Sequence, residues 1–497
     1  MQILDFLVIG LYGFGMLAVG RYYKNRMTTA DEYLLGGRQM SPFMIGLSLF
    51  ATLTSTLSYL AYPGEMIQNG PMIFAQLASY PVIMYLVGWI LIPRIMKQNV
   101  TSGYELLEMR LGVQGRMIGA MMFMLLRTVW MASILYATTS KVVVPLLGLD
   151  PRWAPVISAT MGIVTLIYSA EGGIRAVVVT DAMQSFIMCA GAVVTIAVIT
   201  WQLGGVKTWW PDHWLPHWQA PVFWFKTDVR VTFMGAFLNM AVWMTCTAGA
   251  DQMAIQRYLS TRDATSARRS FGVHLLTELL MSLLLAIVGL AVLGYFTVHP
   301  ELLSEGRTLE AQADELLPRF VVEVLPAGLS GLVIAAMLSA AMSSLSSGMN
   351  SSSAVITTDF ISRFRSEPLT HHEAVRIARW SSIAIGAVAV VLSMVVEHLV
   401  ENLLGLCMRV VNLLTAPLFT LFFLALFIPW AKPRGAIAAS IASVSVAVWI
   451  AFFKGFGLEL LWTGPVSFVV GAVVGMLFSL PNTPHAPASH QKQTATS

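Results

Sequence analysis

Apolar runs of about 17 to 30 residues recur from one end of the chain to the other, separated by short polar segments. Each is long enough to cross a hydrocarbon layer about 30 Å thick. The pattern predicts about thirteen spans: Ile3 to Gly20, Pro42 to Tyr62, Phe74 to Pro93, Met117 to Leu147, Trp153 to Ser169, Ala176 to Leu203, Thr232 to Ala250, Phe271 to Val298, Gly328 to Phe360, Trp380 to Val396, Leu403 to Trp430, Ala436 to Phe453 and Leu461 to Leu480. Lipid offers backbone N–H and C=O groups no partner, so the spans are read as helix and the class as an all-α polytopic membrane protein. The organisation expected is one membrane domain over 1–480. It has an N-terminal helix at 1–20, a first group of spans at 42–203, a second at 232–430 and two C-terminal helices at 436–480. The Pro-rich tail at 481–497 reads as disordered.

Composition agrees: with 56% hydrophobic and 11% charged residues, the chain carries more apolar surface than a water-soluble core can bury. Charge then supplies orientation. With the N-terminus outside, "RYYKNR", Arg94 with Lys97, Arg110 with Arg116, Arg175, "RYLSTRDATSARR", "SRFR" through Arg379 and "KPR" fall on one side. About 20 of the 30 Lys and Arg lie there and about 8 opposite. That bias makes the richer side cytoplasmic, puts the C-terminus inside, and places the protein in the plasma (inner) membrane. The net charge of +4 therefore reflects topology and gives no reason to expect nucleic acid. Cys189, Cys246 and Cys407 lie in apolar spans and form no zinc or disulfide framework. The first span has basic residues after it and none before, which reads as a retained helix. The longest connections, Gly204 to Val231 and His299 to Ala327, are expected outside. No soluble domain and no catalytic constellation is present, so an enzyme is disfavoured, and no obligate protein partner is evident.

Transporters bind where helices break near the bilayer midplane, and two spans look breakable. The second, "SLFATLTSTLSYLAYPGEM", gathers Thr52, Thr54, Ser55, Thr56 and Ser58 and ends at Pro63 and Gly64. The seventh, "NMAVWMTCTAGADQMAIQRY", has Thr245, Thr247 and Gly249 before Asp251. They lie five spans apart, the offset of a pair of five-helix repeats. Ser and Thr also serve close packing of helices, so no single hydroxyl decides the matter. A stripe is more telling. In "AAMSSLSSGMNSSSAVITTDF", a helix puts Ser343, Ser346, Ser347 and Asn350 on one face with Ser339, and Ser344 at its shoulder. Uncharged oxygens in such number suit a hard monovalent cation such as sodium. Ionisable residues inside spans are costly and usually have a task. Here they are Asp181 in "GGIRAVVVTDAMQ", Arg127, Glu278 and Arg409.

These segments resemble the sodium:solute symporter family: "ADEYLLGGR", the second span, "GGIRAVVVTDAMQ" combined with "DQMAIQRYLS", and the serine helix ending in "TTDF". The resemblance covers nearly the whole chain. It implies a leucine-transporter-like fold of two inverted five-helix repeats, with one extra helix before and two after. It also implies a main sodium site from the backbone carbonyls of Ala51, Thr54 and Ala340 and the hydroxyls of Ser343 and Ser344. A second sodium, held in some members, corresponds to Asp181, Ser343, Ser346 and Ser347, so one or two ions are expected.

For the solute, the family's pocket positions correspond to Ser55, Ser58, Gln76 and Trp130. Trp130 stands where sialic acid members carry an arginine, and Arg127, one turn earlier, either replaces it or pairs with Glu278. The wording of "GGIRAVVVTDAMQ", "DQMAIQRYLSTR" and "FIPWAKPRGA" is similar to the monocarboxylate, vitamin and iodide branch. The function expected is sodium-coupled import of a small organic anion by alternating access, with a neutral sugar or polyol as the alternative. A channel does not need paired helix breaks, and a sensor needs a signalling module after the last span.

Overall fold

The computed structural model describes residues 2–24, 29–98, 100–226, 228–304, 306–396 and 403–480. Among these residues there is no strand. In chain order the helices are α1 (Ile3–Lys24), α2 (Ala30–Leu35), α3 (Pro42–Leu53), α4 (Thr56–Asn69), α5 (Pro71–Met96), α6 (Tyr104–Leu146), α7 (Pro151–Gln202), α8 (Val206–Trp209), α9 (Phe233–Ala250), α10 (Gln252–Leu259), α11 (Ala264–Val298), α12 (Ala313–Glu323), α13 (Leu329–Phe364), α14 (His371–Val396), α15 (Leu403–Phe427), α16 (Pro433–Phe453) and α17 (Thr463–Ser479). Ten of the described helices are long and apolar enough to cross a membrane, or eleven when the bent pair α3 and α4 is one span. Large apolar side chains such as Leu7, Phe14, Trp89, Leu125, Phe186 and Leu280 stay exposed on the outside, as a lipid-facing surface requires. The tail from Pro481 onward and the side chain of Cys407 lie outside the described residues.

α7 is 52 residues long, about twice what one crossing needs. Its continuity is broken at Gly173, whose φ of 57° and ψ of −160° belong to glycine almost alone. Both arms run alongside α13 in the same direction from that corner. On the first arm Tyr168 donates to the Met342 carbonyl at 3.1 Å and Ser169 to that of Ser346 at 3.2 Å. On the second, Ser347 donates to Asp181 at 3.3 Å, and Gly191 lies against Ala336 and Val333. The corner therefore turns one helix into a hairpin and matches the predicted gap between Ser169 and Ala176. A Cβ at Gly173 would sit 2.7 Å from the Tyr33 carbonyl oxygen. Gly173→Ala is expected to cost at least ~2 kcal/mol, read as a lower thermal midpoint of the detergent-purified protein.

α3 and α4 meet at a bend of 68°. The break falls at Thr54 (ψ 119°) and Ser55 (φ −112°, ψ 171°), both extended. This corrects the expectation that the segment ends at Pro63 and Gly64: α4 runs through Pro63 and closes at Gly70, whose φ is 83°. Asp251 (φ −80°, ψ 126°) separates α9 from α10 in the same way. The bent pair packs on α11, α7 and α13, so its gap lies at the centre of the bundle.

Candidate cation and solute site

The break in α3 and α4 frees carbonyls that helical N–H groups would otherwise occupy. Thr54 N–H makes the last bond, to Phe50 at 2.9 Å, and Tyr59 N–H makes the next, to Ser55 at 3.0 Å. The carbonyls from Ala51 to Thr54 thus lack their helical partners, a set of orphans normally found only at helix ends. α13 supplies hydroxyls. Ser343 Oγ donates to the Ala51 carbonyl at 2.7 Å and to its own helix's Ala340 carbonyl at 3.2 Å. Ser344 Oγ donates to Thr52 at 3.0 Å and lies 3.4 Å from the Thr54 carbonyl. Thr56 Oγ1 fastens the other side of the gap to the Met337 carbonyl at 2.8 Å. Ala51, Thr54, Ala340, Ser343 and Ser344 therefore converge, all buried, with five oxygens and no charge. Hydroxyls and carbonyls keep lone pairs beyond these bonds, so the group is chemically fit for a hard monovalent cation.

The members of the second expected set are bonded differently from one another. Ser346 donates to the Ser343 carbonyl at 3.0 Å and Ser343 faces Ala51, so neither bonds Asp181. Only Ser347 does. Asp181 Oδ2 also accepts from Ser48, from Thr52 at 3.4 Å and from Arg257 Nη2 at 2.9 Å, while Oδ1 has no partner. Arg257, on α10, is fully buried; it donates through Nε to Ser48 at 2.8 Å and through Nη1 to the Met253 carbonyl at 2.8 Å, and its Nη2 also reaches Ser347. A guanidinium thus stands beside the carboxylate where the resemblance implies a sodium. It lies inside the quoted "DQMAIQRYLS", yet no local pattern announces its partner 76 residues away.

At the second break, Asp251 caps α10 by accepting from Met253 N–H at 2.9 Å, and its other oxygen takes a close ion pair from Arg127. Arg127 does not pair with Glu278. Glu278 accepts instead from Thr54 Oγ1 at 2.9 Å. A narrow cavity lies between the two breaks, lined by Leu53, Leu126, Arg127, Trp130, Trp243 and Thr415. Arg127 and Trp130 line it as expected; Ser55, Ser58 and Gln76 do not. Ser55 Oγ is buried without a partner, Ser58 is half-buried, and Gln76 donates to the Tyr62 hydroxyl at 3.1 Å. Trp243 and Thr415 were not anticipated, although Trp243 lies two residues before Thr245 in the seventh span. Arg409 is exposed and lies over the Phe452 ring at 5.6 Å, away from the cavity.

Two broken helices five spans apart, with freed carbonyls at the midpoint and a small aromatic cavity beside them, define an ion-coupled secondary transporter of the leucine-transporter fold. The model of the sodium:solute symporter family matches residues 33–443, and the chain belongs to that family. It is a sodium-coupled symporter of a small solute, and its chemistry is transport, not catalysis. The sodium/sialic acid symporter NanT of Aliivibrio fischeri is 27% identical, with 95% of this chain and 92% of that protein aligned. The sodium-dependent multivitamin transporter of Oryctolagus cuniculus is 28% identical, over 90% of this chain and 70% of that one. A solved structure of a Na+-coupled sialic acid symporter in a substrate-bound outward-open state has the same fold: its TM-score is 0.84 at 24% identity, covering 96% of this chain and 97% of that one.

Proposed function

We propose that this protein imports a small organic acid together with sodium, the main ion lying among the Ala51, Thr54 and Ala340 carbonyls and the Ser343 and Ser344 hydroxyls. The carrying observation is the pair of serine hydroxyls of α13 set on the freed carbonyls of the break. Sodium there bridges α3 to α13 and favours the arrangement in which the neighbouring cavity accepts solute; by linkage, solute tightens sodium equally. Each sodium carried inward through 100 mV contributes about 2.3 kcal/mol, roughly a fiftyfold concentration ratio. At Asp181 the guanidinium of Arg257 already supplies the balancing charge.

The solute's carboxylate is read by Arg127. Its guanidinium lines the cavity, is held by Asp251 through Nη2, and has a buried Nε with no partner. The Trp130 and Trp243 rings form an apolar wall for the rest of the molecule. The relatives' names, sialic acid and vitamin symporters, agree with an acidic solute. The bias of Lys and Arg to one set of loops supports an N-terminus outside and a C-terminus in the cytoplasm, and the reading keeps the protein in the plasma (inner) membrane.

Uptake of labelled organic acids and of neutral sugars into proteoliposomes, driven by an imposed sodium gradient, tests the reading. An acid is expected to accumulate with sodium and not with potassium. In the Arg127→Gln/Asp251→Asn pair, which keeps the cavity neutral, affinity for that acid is expected to fall about ten- to hundredfold, as when a charge-assisted hydrogen bond is lost. Accumulation of a neutral sugar alone contradicts the assignment.

A further inference from the structure

Among the described residues, most carboxylates buried in the bundle face a cation; Asp5 is held instead by the Ser330 hydroxyl and backbone N–H groups, and Glu278 by a single hydroxyl. Asp181 faces Arg257, Asp251 faces Arg127 and Asp359 faces Arg116. Glu278 on α11 is buried, and among the described residues no Lys, Arg or His nitrogen lies within 4.0 Å of its carboxylate. Its one hydrogen-bond donor among the described residues is Thr54 Oγ1, at 2.9 Å. A bare carboxylate in the low-dielectric centre of a membrane protein calls for a cation.

The surroundings supply oxygens for one. Ser282 follows Glu278 by one helical turn on the same face, and its buried Oγ has no partner. From α5 the Tyr80 hydroxyl, also buried and without a hydrogen bond of good geometry, lies beside Ser282. The solute cavity does not include Glu278, which favours a bare ion over a charged group of the solute. One carboxylate and three hydroxyl oxygens match the hard-oxygen preference of sodium and cancel its charge.

We infer that Glu278, with Thr54 Oγ1, Tyr80 and Ser282, forms a second sodium site, distinct from the Asp181 position. The inference rests on the reading of the protein as a sodium symporter with its main ion at Ser343. Thr54 belongs to both sites, its carbonyl toward the main ion and its hydroxyl toward Glu278, so occupation of either orders the same extended residue for the other.

The test is the number of sodium ions bound per purified full-length protein at saturation, measured with radioactive sodium by equilibrium dialysis. Wild type is expected to bind two ions and Glu278→Gln one. Glu278→Asp, which keeps the charge, should still bind two at higher sodium concentration. Each variant is first checked for a monodisperse peak and a cooperative melt, and the Asp variant carries the test where the Gln variant does not fold. A count of one in wild type overturns the inference, as does an unchanged count in Glu278→Gln. An Asp181→Asn variant binding one ion beside a Glu278→Gln variant binding two overturns it as well. Failure of the main-site reading has a different signature: Ser343→Ala then binds sodium as wild type does, whatever Glu278 shows.

Discussion

Replacing Arg257 by glutamine is expected to destabilise the protein by about 3–5 kcal/mol, the range for removing one partner of a buried ion pair. The reason is Asp181. Both side chains are fully buried, and the guanidinium is the one cation within ion-pair distance of that carboxylate among the described residues. Arg257 also bonds Ser48 on α3, Ser347 on α13 and the Met253 carbonyl of its own helix, so it ties three helices around one charge. The double variant Asp181→Asn/Arg257→Gln leaves neutral amides and is expected to recover most of the loss. Thermal midpoints of wild type, both single variants and the double variant check this. Equal losses in the single Arg257 variant and the double variant would mean that the pair is not what holds these helices.

Ser343→Ala is expected to raise the sodium concentration for half-maximal thermal stabilisation about ten- to hundredfold. The substitution removes the one side-chain oxygen that reaches both the Ala51 and Ala340 carbonyls. Losing an uncharged ligand to a cation is comparable with losing a charge-assisted hydrogen bond, about 1.5–3 kcal/mol. Ser353→Ala serves as the control. Its hydroxyl bonds the Asn350 carbonyl of its own helix at 2.7 Å and touches neither break. Sodium response in that variant should match wild type, which separates the role of position 343 from serine content in general.

The spans were legible because lipid imposes length and apolarity on every crossing, and the Gly173 corner appears in the sequence as the gap between Ser169 and Ala176. The stripe of α13 was legible for the same reason that any helical face is, by its period. The break between α3 and α4 falls among the mid-span hydroxyls of the second apolar run, at Thr54 and Ser55, and the span continues past its expected end. Proline and glycine are the usual signals, yet Pro63 stays helical, whereas Thr54 and Ser55 open because hydroxyls from α13, nearly 300 residues away in sequence, satisfy the freed carbonyls. Ion pairing was the least legible feature. Arg127 meets Asp251 across 124 residues and Arg257 meets Asp181 across 76, and both arginines lie in segments whose apolar pattern says nothing of the partner. Glu278 stood out as a buried acid from the start; that it is left without a cation emerges only once the other pairs are made.

The proposed coupling is mutual: sodium and solute stabilise one another through the joint between α3, α4 and α13. Its most direct measurement is a thermal-shift screen of small organic acids and neutral sugars against the purified protein, run in sodium and in potassium. At least one acid is expected to raise the midpoint in sodium and not in potassium, and to lower the sodium concentration needed for stabilisation. A solute that stabilises equally in both salts, with no effect on the sodium response, would contradict it.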